Sequence, residues 1–147
     1  MKMTNTIKLT AVALTATLGL AITATAQDAA GTPPAAPTMP PASTKQGVTY
    51  VTDIKTILDA SCAKCHSGDK PKARLKLDTL EGALKGSKDG KILTAGDSAN
   101  SFVVKSISHL TGDHDAWMPP LNNRAGIKTL TPEQIGLIRA WIDQGAK

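Results

Sequence analysis

The sequence predicts a small, mainly α-helical domain with long loops, and three observations support this fold class. Amphipathic helix patterns stand at both ends of residues 48–147. The chain between them is rich in Gly, Asp, Lys and Pro and shows no long alternating run typical of a β-strand. Aromatic residues are scarce, with one Phe, one Tyr and two Trp, or 3% of 147 residues. A domain this poor in aromatic side chains is short of the material that usually fills a core.

The composition divides the chain into three segments. Residues 1–26 have the pattern of a signal peptide, since two lysines precede an uncharged run and Ala24-Thr25-Ala26 predicts cleavage before Gln27. An uncleaved membrane anchor is the alternative interpretation of this segment. Residues 27–47 hold five of the nine prolines and predict a disordered, semi-stiff linker. Residues 48–147 are the predicted folded domain.

Length, charge and cysteine content exclude several classes of protein. A chain of 147 residues has room for one domain, which excludes a multi-domain enzyme, and two cysteines are too few for a disulfide-rich scaffold. The net charge falls from +5 to +3 when the two lysines of the signal are removed. Nucleic-acid binding would require a denser basic surface, so we expect no nucleic-acid partner.

The first predicted helix follows Thr52, whose hydroxyl can cap it. Its apolar face repeats at spacings of three and four residues: Ile54, Ile57, Leu58 and Cys62. A shorter helix is predicted over residues 100–108, with Val103, Ile107 and Leu110 on one stripe. Between these helices, Leu75-Lys76-Leu77 predicts a short extended segment.

The last predicted helix has the clearest boundaries in the chain. Thr131 is a typical N-cap, and Pro132 suits the first helical position because its missing N–H has no partner there anyway. One side of the helix is apolar, with Ile135, Ile138, Trp141 and Ile142. Gly145 is placed to end it.

The segment Cys62-Ala63-Lys64-Cys65-His66 has the C-x-x-C-H pattern of a c-type haem attachment site. Two thiols at this spacing can form thioethers with the two vinyl groups on one porphyrin edge, and His66 then reaches the iron. A thioredoxin-type redox pair would require the motif to open a helix within a βαβ unit, and a zinc site would require more thiol ligands. A plain disulfide would leave His66 without a role. Haem attachment is the favoured interpretation, with thiol redox and zinc binding as alternatives.

Met118 is the candidate for the second axial ligand. The predicted mature chain has one other methionine, Met39, which lies in the linker. Two prolines follow Met118 and stiffen the loop around it, which suits a soft thioether ligand. His109 and His114 are competing ligands that would give bis-histidine coordination, and an open sixth position is a further alternative.

Residues Cys62–Lys147 resemble the planctomycete-type cytochrome c domain, a haem module related to class I cytochromes c. The resemblance rests on CAKCHSGDKPKARLKLDTLEGALKGSKDG, on GDSANS, on MPP and on LTPEQIGLIRAWIDQGA. It implies one covalent haem c with His66 and Met118 as axial ligands, and first and last helices that cross beside the haem. The segment LNNRAGIKT after MPP departs from the short basic run expected there.

These features predict an exported, periplasmic electron carrier that is a monomer and not an enzyme. A ligand-binding, sensing or catalytic haem module with a labile sixth ligand is one alternative, and a thiol–disulfide oxidoreductase is another. Five basic residues in and just after the haem motif are candidates for steering acidic redox partners: Lys64, Lys70, Lys72, Arg74 and Lys76. A solvated loop kept soluble by charge would look the same. Candidates for the apolar wall of the haem site are Phe102, Trp117, Leu121 and Trp141.

Overall fold

A computed structural model describes residues 38–147, and these fold into four α-helices joined by long loops. A π-helical turn (Tyr50–Ile54) leads into α1 (Lys55–Ser61), followed by α2 (Leu80–Lys85), α3 (Phe102–Ile107) and α4 (Pro132–Asp143). Two 3-10 turns cover Lys72–Arg74 and His114–Ala116. The described residues form no β-strand, only two isolated bridges, so the predicted mainly α class is confirmed. Between residues 38 and 147 no helix is both long and apolar enough to cross a bilayer.

The last helix begins as predicted, and the first begins earlier. The Thr131 side chain accepts from the Gln134 main-chain nitrogen while the Gln134 side chain accepts from that of Thr131, which completes a capping box before α4. At the other end Thr49, and not the predicted Thr52, is the N-cap. The prediction was wrong there because the chain enters α1 through a π-helical turn, whose spacing differs from the 3.6-residue period used to find the helix.

The middle of the domain differs from prediction in the extent of its helices. The helix predicted over residues 100–108 spans only Phe102–Ile107. α2 was not predicted, because six residues are too few to show an apolar period; Thr79 caps it by accepting from the Gly82 nitrogen. Between α1 and α2, Leu75 and Leu77 are buried on either side of an exposed lysine, in the extended form that their alternation indicates.

Tyr50 and Trp141 join the two ends of the domain. Their ring centroids lie 6.0 Å apart, and Trp141 is only 2% exposed. The Tyr50 hydroxyl donates to the Leu77 carbonyl at 3.0 Å, and the Trp141 Nε1 donates to the Lys147 carbonyl at 2.9 Å. α4 therefore packs on the π-helical turn that leads into α1.

Residues 38–47 lie along α4, although the sequence predicted a disordered linker there. The Ser43 nitrogen donates to the Gly136 carbonyl at 2.8 Å, and Arg139 donates to the Pro40 carbonyl. A Cβ at Gly136 would stand 2.7 Å from the Pro41 carbonyl oxygen, so the glycine permits this close approach. Packed chain thus begins before the predicted boundary at Val48. The predicted signal peptide and residues 27–37 of the predicted linker lie outside the described residues.

Candidate functional site

Cys62, Cys65, His66 and Met118 line one cavity of about 840 Å³. This volume is within the about 300–1,000 Å³ typical of cofactor pockets. The two cysteines and the histidine follow the end of α1, where the Cys65 and His66 nitrogens donate to the Cys62 carbonyl at 3.1 and 2.9 Å. This tight turn directs three side chains of one short segment into the same space. The structure therefore brings together all four residues that the sequence selected.

A main-chain carbonyl orients His66. The Nδ1 of its ring lies 3.2 Å from the Lys72 carbonyl oxygen. Because a carbonyl oxygen can only accept, Nδ1 carries the proton and Nε2 keeps its lone pair. Burial lowers the pKa of His66, which favours the neutral ring. A neutral imidazole with one nitrogen held by a carbonyl is the form that binds a metal.

The sequence analysis did not find the partner of His66. Lys72 acts through its carbonyl oxygen, and no side-chain pattern reports on that atom. The turn that presents it is fixed on both sides, because the Lys72 nitrogen donates to the Cys65 carbonyl at 2.9 Å and the Ala73 carbonyl accepts from the Lys88 nitrogen at 2.8 Å. The loop after the motif is therefore part of the site.

The same turn contains two strained residues. Ala73 and Arg74 both have φ of 53°, in the left-handed region that residues with a Cβ rarely adopt. Left-handed backbone costs such residues roughly 1–2 kcal/mol each. We attribute the strain to the fixed position of the Lys72 carbonyl beside His66.

Replacing Ala73 with glycine is expected to stabilise the protein by about 0.5–1 kcal/mol, since relief of the strain outweighs the greater flexibility of unfolded glycine. Guanidinium unfolding of the purified protein measures this free energy. Ala60→Gly, at an exposed position in regular α1, is the control and is expected to lose about 0.5–1 kcal/mol. Equal destabilisation by both glycines would contradict the strain at Ala73.

The walls of the cavity are mainly aliphatic. Phe102 is the one predicted wall residue that lines it, at 50% exposure. Trp117, Leu121 and Trp141 do not line it, so their assignment to the wall was wrong. Trp141 is held at the contact of α4 with Tyr50, and Leu121 is exposed. The aliphatic lining residues are Leu75, Leu77, Ile92, Val103, Ile107, Ile127 and Leu130.

The two cysteines are both free thiols and are poor candidates for dithiol chemistry. Burial, followed by the nearby Cys65, raises the pKa of Cys62 to about 11. Thiol redox enzymes instead lower the pKa of their attacking cysteine, often at the N-terminus of a helix, whereas Cys62 stands at the C-terminus of α1. Within residues 38–147 no group of three or more His, Cys, Asp or Glu side chains could hold a metal ion, which disfavours a zinc site.

Met118 reaches the cavity from the loop after α3. Its main-chain nitrogen donates to the carbonyl of buried Ser106 at 3.1 Å, and the prolines that follow it also line the cavity. The competing ligands His109 and His114 pack against Trp117 instead and do not line the cavity. Met118 is therefore the only one of the three candidates that lines the same cavity as His66.

The residues of the cavity fit a covalent haem. Two thiols, an imidazole and a thioether line a largely aliphatic pocket, and these are the groups that hold haem c. Comparison with known families supports this fit for the segment that carries all four residues. Residues 62–122 match the family planctomycete cytochrome C.

This match confirms the resemblance seen in the sequence, and the cytochrome c segment includes both the C-x-x-C-H motif and Met118. It points to a haem-binding, electron-transfer role and implies haem c as the cofactor. The match ends at Asn122, so α4 lies beyond it. No curated protein and no solved structure matches the chain.

Proposed function

We propose that the protein is a monohaem cytochrome c that carries electrons, with haem attached through Cys62 and Cys65 and iron bound by His66 and Met118. The observation that carries this proposal is the single aliphatic cavity lined by all four side chains. One C-x-x-C-H motif supports one haem. Haem, when bound, supplies a one-electron iron couple.

The protein's own residues would then tune and protect that couple. The Lys72 carbonyl holds the His66 Nδ1–H and would leave Nε2 available to bind the iron. The main-chain bond from Met118 to Ser106 and the two prolines that follow limit movement of the backbone that carries the thioether. With His66 and Met118 both bound to iron, the aliphatic walls would help to exclude water, which would favour electron transfer over ligand binding.

Acidic redox partners and export are part of this proposal. The basic residues in and just after the motif are all exposed, and none of them forms an ion pair within residues 38–147. The cavity edge is not itself basic, since three aspartates line it beside three basic residues, so the excess positive charge lies on the chain around the motif. Such a surface would steer an acidic partner into a weak, short-lived complex whose association slows with added salt. Export is proposed from the N-terminal signal pattern.

Met118→Ala is expected to abolish the weak far-red absorption band that marks methionine bound to ferric haem, and to lower the reduction potential. Absorption spectra of the oxidised and reduced protein, with a redox titration, measure both. Met39→Ala is the matched control, since Met39 packs against the core outside the cavity lining and its loss should leave the band in place.

An unchanged band in Met118→Ala would overturn the axial assignment. A colourless wild-type protein of unmodified mass would overturn haem attachment itself and return the thiol oxidoreductase to consideration. A high-spin wild-type spectrum would favour the module with an open or labile sixth position.

A further inference from the structure

Trp117, the residue directly before Met118 in the chain, packs against two imidazole rings. The ring centroids of Trp117 and His109 lie 4.8 Å apart and their planes differ by only 3°. The His114 ring lies 4.1 Å from Trp117 and is tilted by 41°. The Trp117 Nε1 donates to the Thr111 carbonyl at 3.2 Å. We call His109, His114 and Trp117 the Trp117 stack.

The Trp117 stack is anchored to the end of α3. His109 occupies the position after the helix where glycine is common, with φ of 55°, and the Leu110 nitrogen closes the turn on the Lys105 carbonyl at 2.8 Å. A histidine at this φ is strained, whereas a glycine would not be. This position holds the imidazole parallel to the indole of Trp117.

The polar atoms of His109 do not explain its position. Its Nε2 is buried and has no hydrogen-bond partner within residues 38–147. The ring therefore contributes its flat face to Trp117 and not a hydrogen bond. Neither His109 nor His114 lines the cavity that contains Met118.

We infer that the Trp117 stack positions Met118 as the axial ligand and holds both histidines away from the iron. This inference rests on the proposed function. A thioether is a weak ligand, so the free energy of ordering a loose loop would subtract directly from its bond to iron. The stack fixes the preceding residue, and the main-chain bond to Ser106 fixes Met118 itself. Both histidine rings pack against the Trp117 indole.

Three variants of the haem-loaded protein test the inference, with the far-red band and the reduction potential as measurements. Trp117→Ala is expected to lose the band and to lower the potential, because a released histidine replaces Met118. Trp117→Phe keeps an aromatic ring and is expected to retain both. His109→Gly removes one ring but relieves its backbone, so we expect a weakened band with unchanged helical content.

Comparison with Met118→Ala separates this inference from the proposed function. If Met118→Ala loses the band while Trp117→Ala and His109→Gly keep both band and potential, the inference is overturned and the axial assignment stands. If the wild-type protein has no such band, both are overturned. Should Trp117→Ala fail to fold, His109→Gly still decides the question. Adding His109→Ala and His114→Ala to Trp117→Ala is expected to convert the spectrum to high-spin, and an unchanged low-spin spectrum would contradict replacement by these histidines.

Discussion

Without attached haem, the domain is expected to be largely unfolded. Cys62→Ser with Cys65→Ser removes both thioether bonds and leaves the aliphatic cavity of about 840 Å³ without its cofactor. Without haem, the aliphatic walls of this open cavity would face water, and each Å² of apolar surface that haem would cover contributes about 25 cal/mol when buried. A typical domain is stabilised by only about 5–15 kcal/mol, so losing this burial removes a large fraction of the stability.

Circular dichroism and thermal unfolding of the double variant measure this effect, with the mass of the purified protein reporting haem attachment. We expect loss of helical signal and no cooperative transition. Each single cysteine variant is a matched control, because one thioether can still retain the haem and therefore the fold. A double variant as helical and as cooperative as the haem-loaded protein would contradict the role of haem in the core.

Trp141→Ala is expected to cost about 3–5 kcal/mol of the free energy of unfolding, the range for loss of a large aromatic side chain from a core. Trp141 is 2% exposed, packs on Tyr50 and donates to the Lys147 carbonyl, so its removal opens the contact between α4 and the first helical turn. Guanidinium unfolding of the haem-loaded protein measures the loss.

Two further variants show which interactions of Trp141 stabilise the protein. Trp141→Phe keeps an aromatic ring but loses the Nε1 hydrogen bond, so about 1 kcal/mol of the decrease in its free energy of unfolding should come from that bond. Val51→Ala, at a 73% exposed position outside the cavity lining, should cost clearly less than Trp141→Ala. Equal losses at Trp141 and Val51 would contradict the placement of Trp141 in the core.

Several features could be predicted from interactions between residues that are close in the sequence. The Thr131 and Pro132 signals located the start of α4 because capping depends on residues within one turn. The C-x-x-C-H spacing selected Cys62, Cys65 and His66 because the motif is local, and Met118 followed from its two prolines. Thr52 was the wrong cap because a π-helical turn does not follow the usual period, and α2 is too short to show one.

Long-range contacts account for the features that the sequence did not predict. Residues 38–47 are rich in proline, which indicates a linker, yet their carbonyls and nitrogens bond to α4 nearly a hundred residues later. Trp141 and Phe102 looked equally suitable for the haem wall, since composition does not tell which aromatic ring faces which element. Only their packing partners separate them.

The aromatic shortage left two interpretations, a marginal fold or a centre filled by something other than side chains, and the motif favoured a porphyrin at that centre. These conclusions need only composition and local spacing. The tertiary structure decided how the ligand candidates are arranged: it places Met118 in the cavity with His66 and packs His109 and His114 on Trp117. The physical reason is that Met118 and His66 are 52 residues apart, and that the contact orienting His66 is the Lys72 carbonyl, whose position is set by backbone geometry and not by residue type.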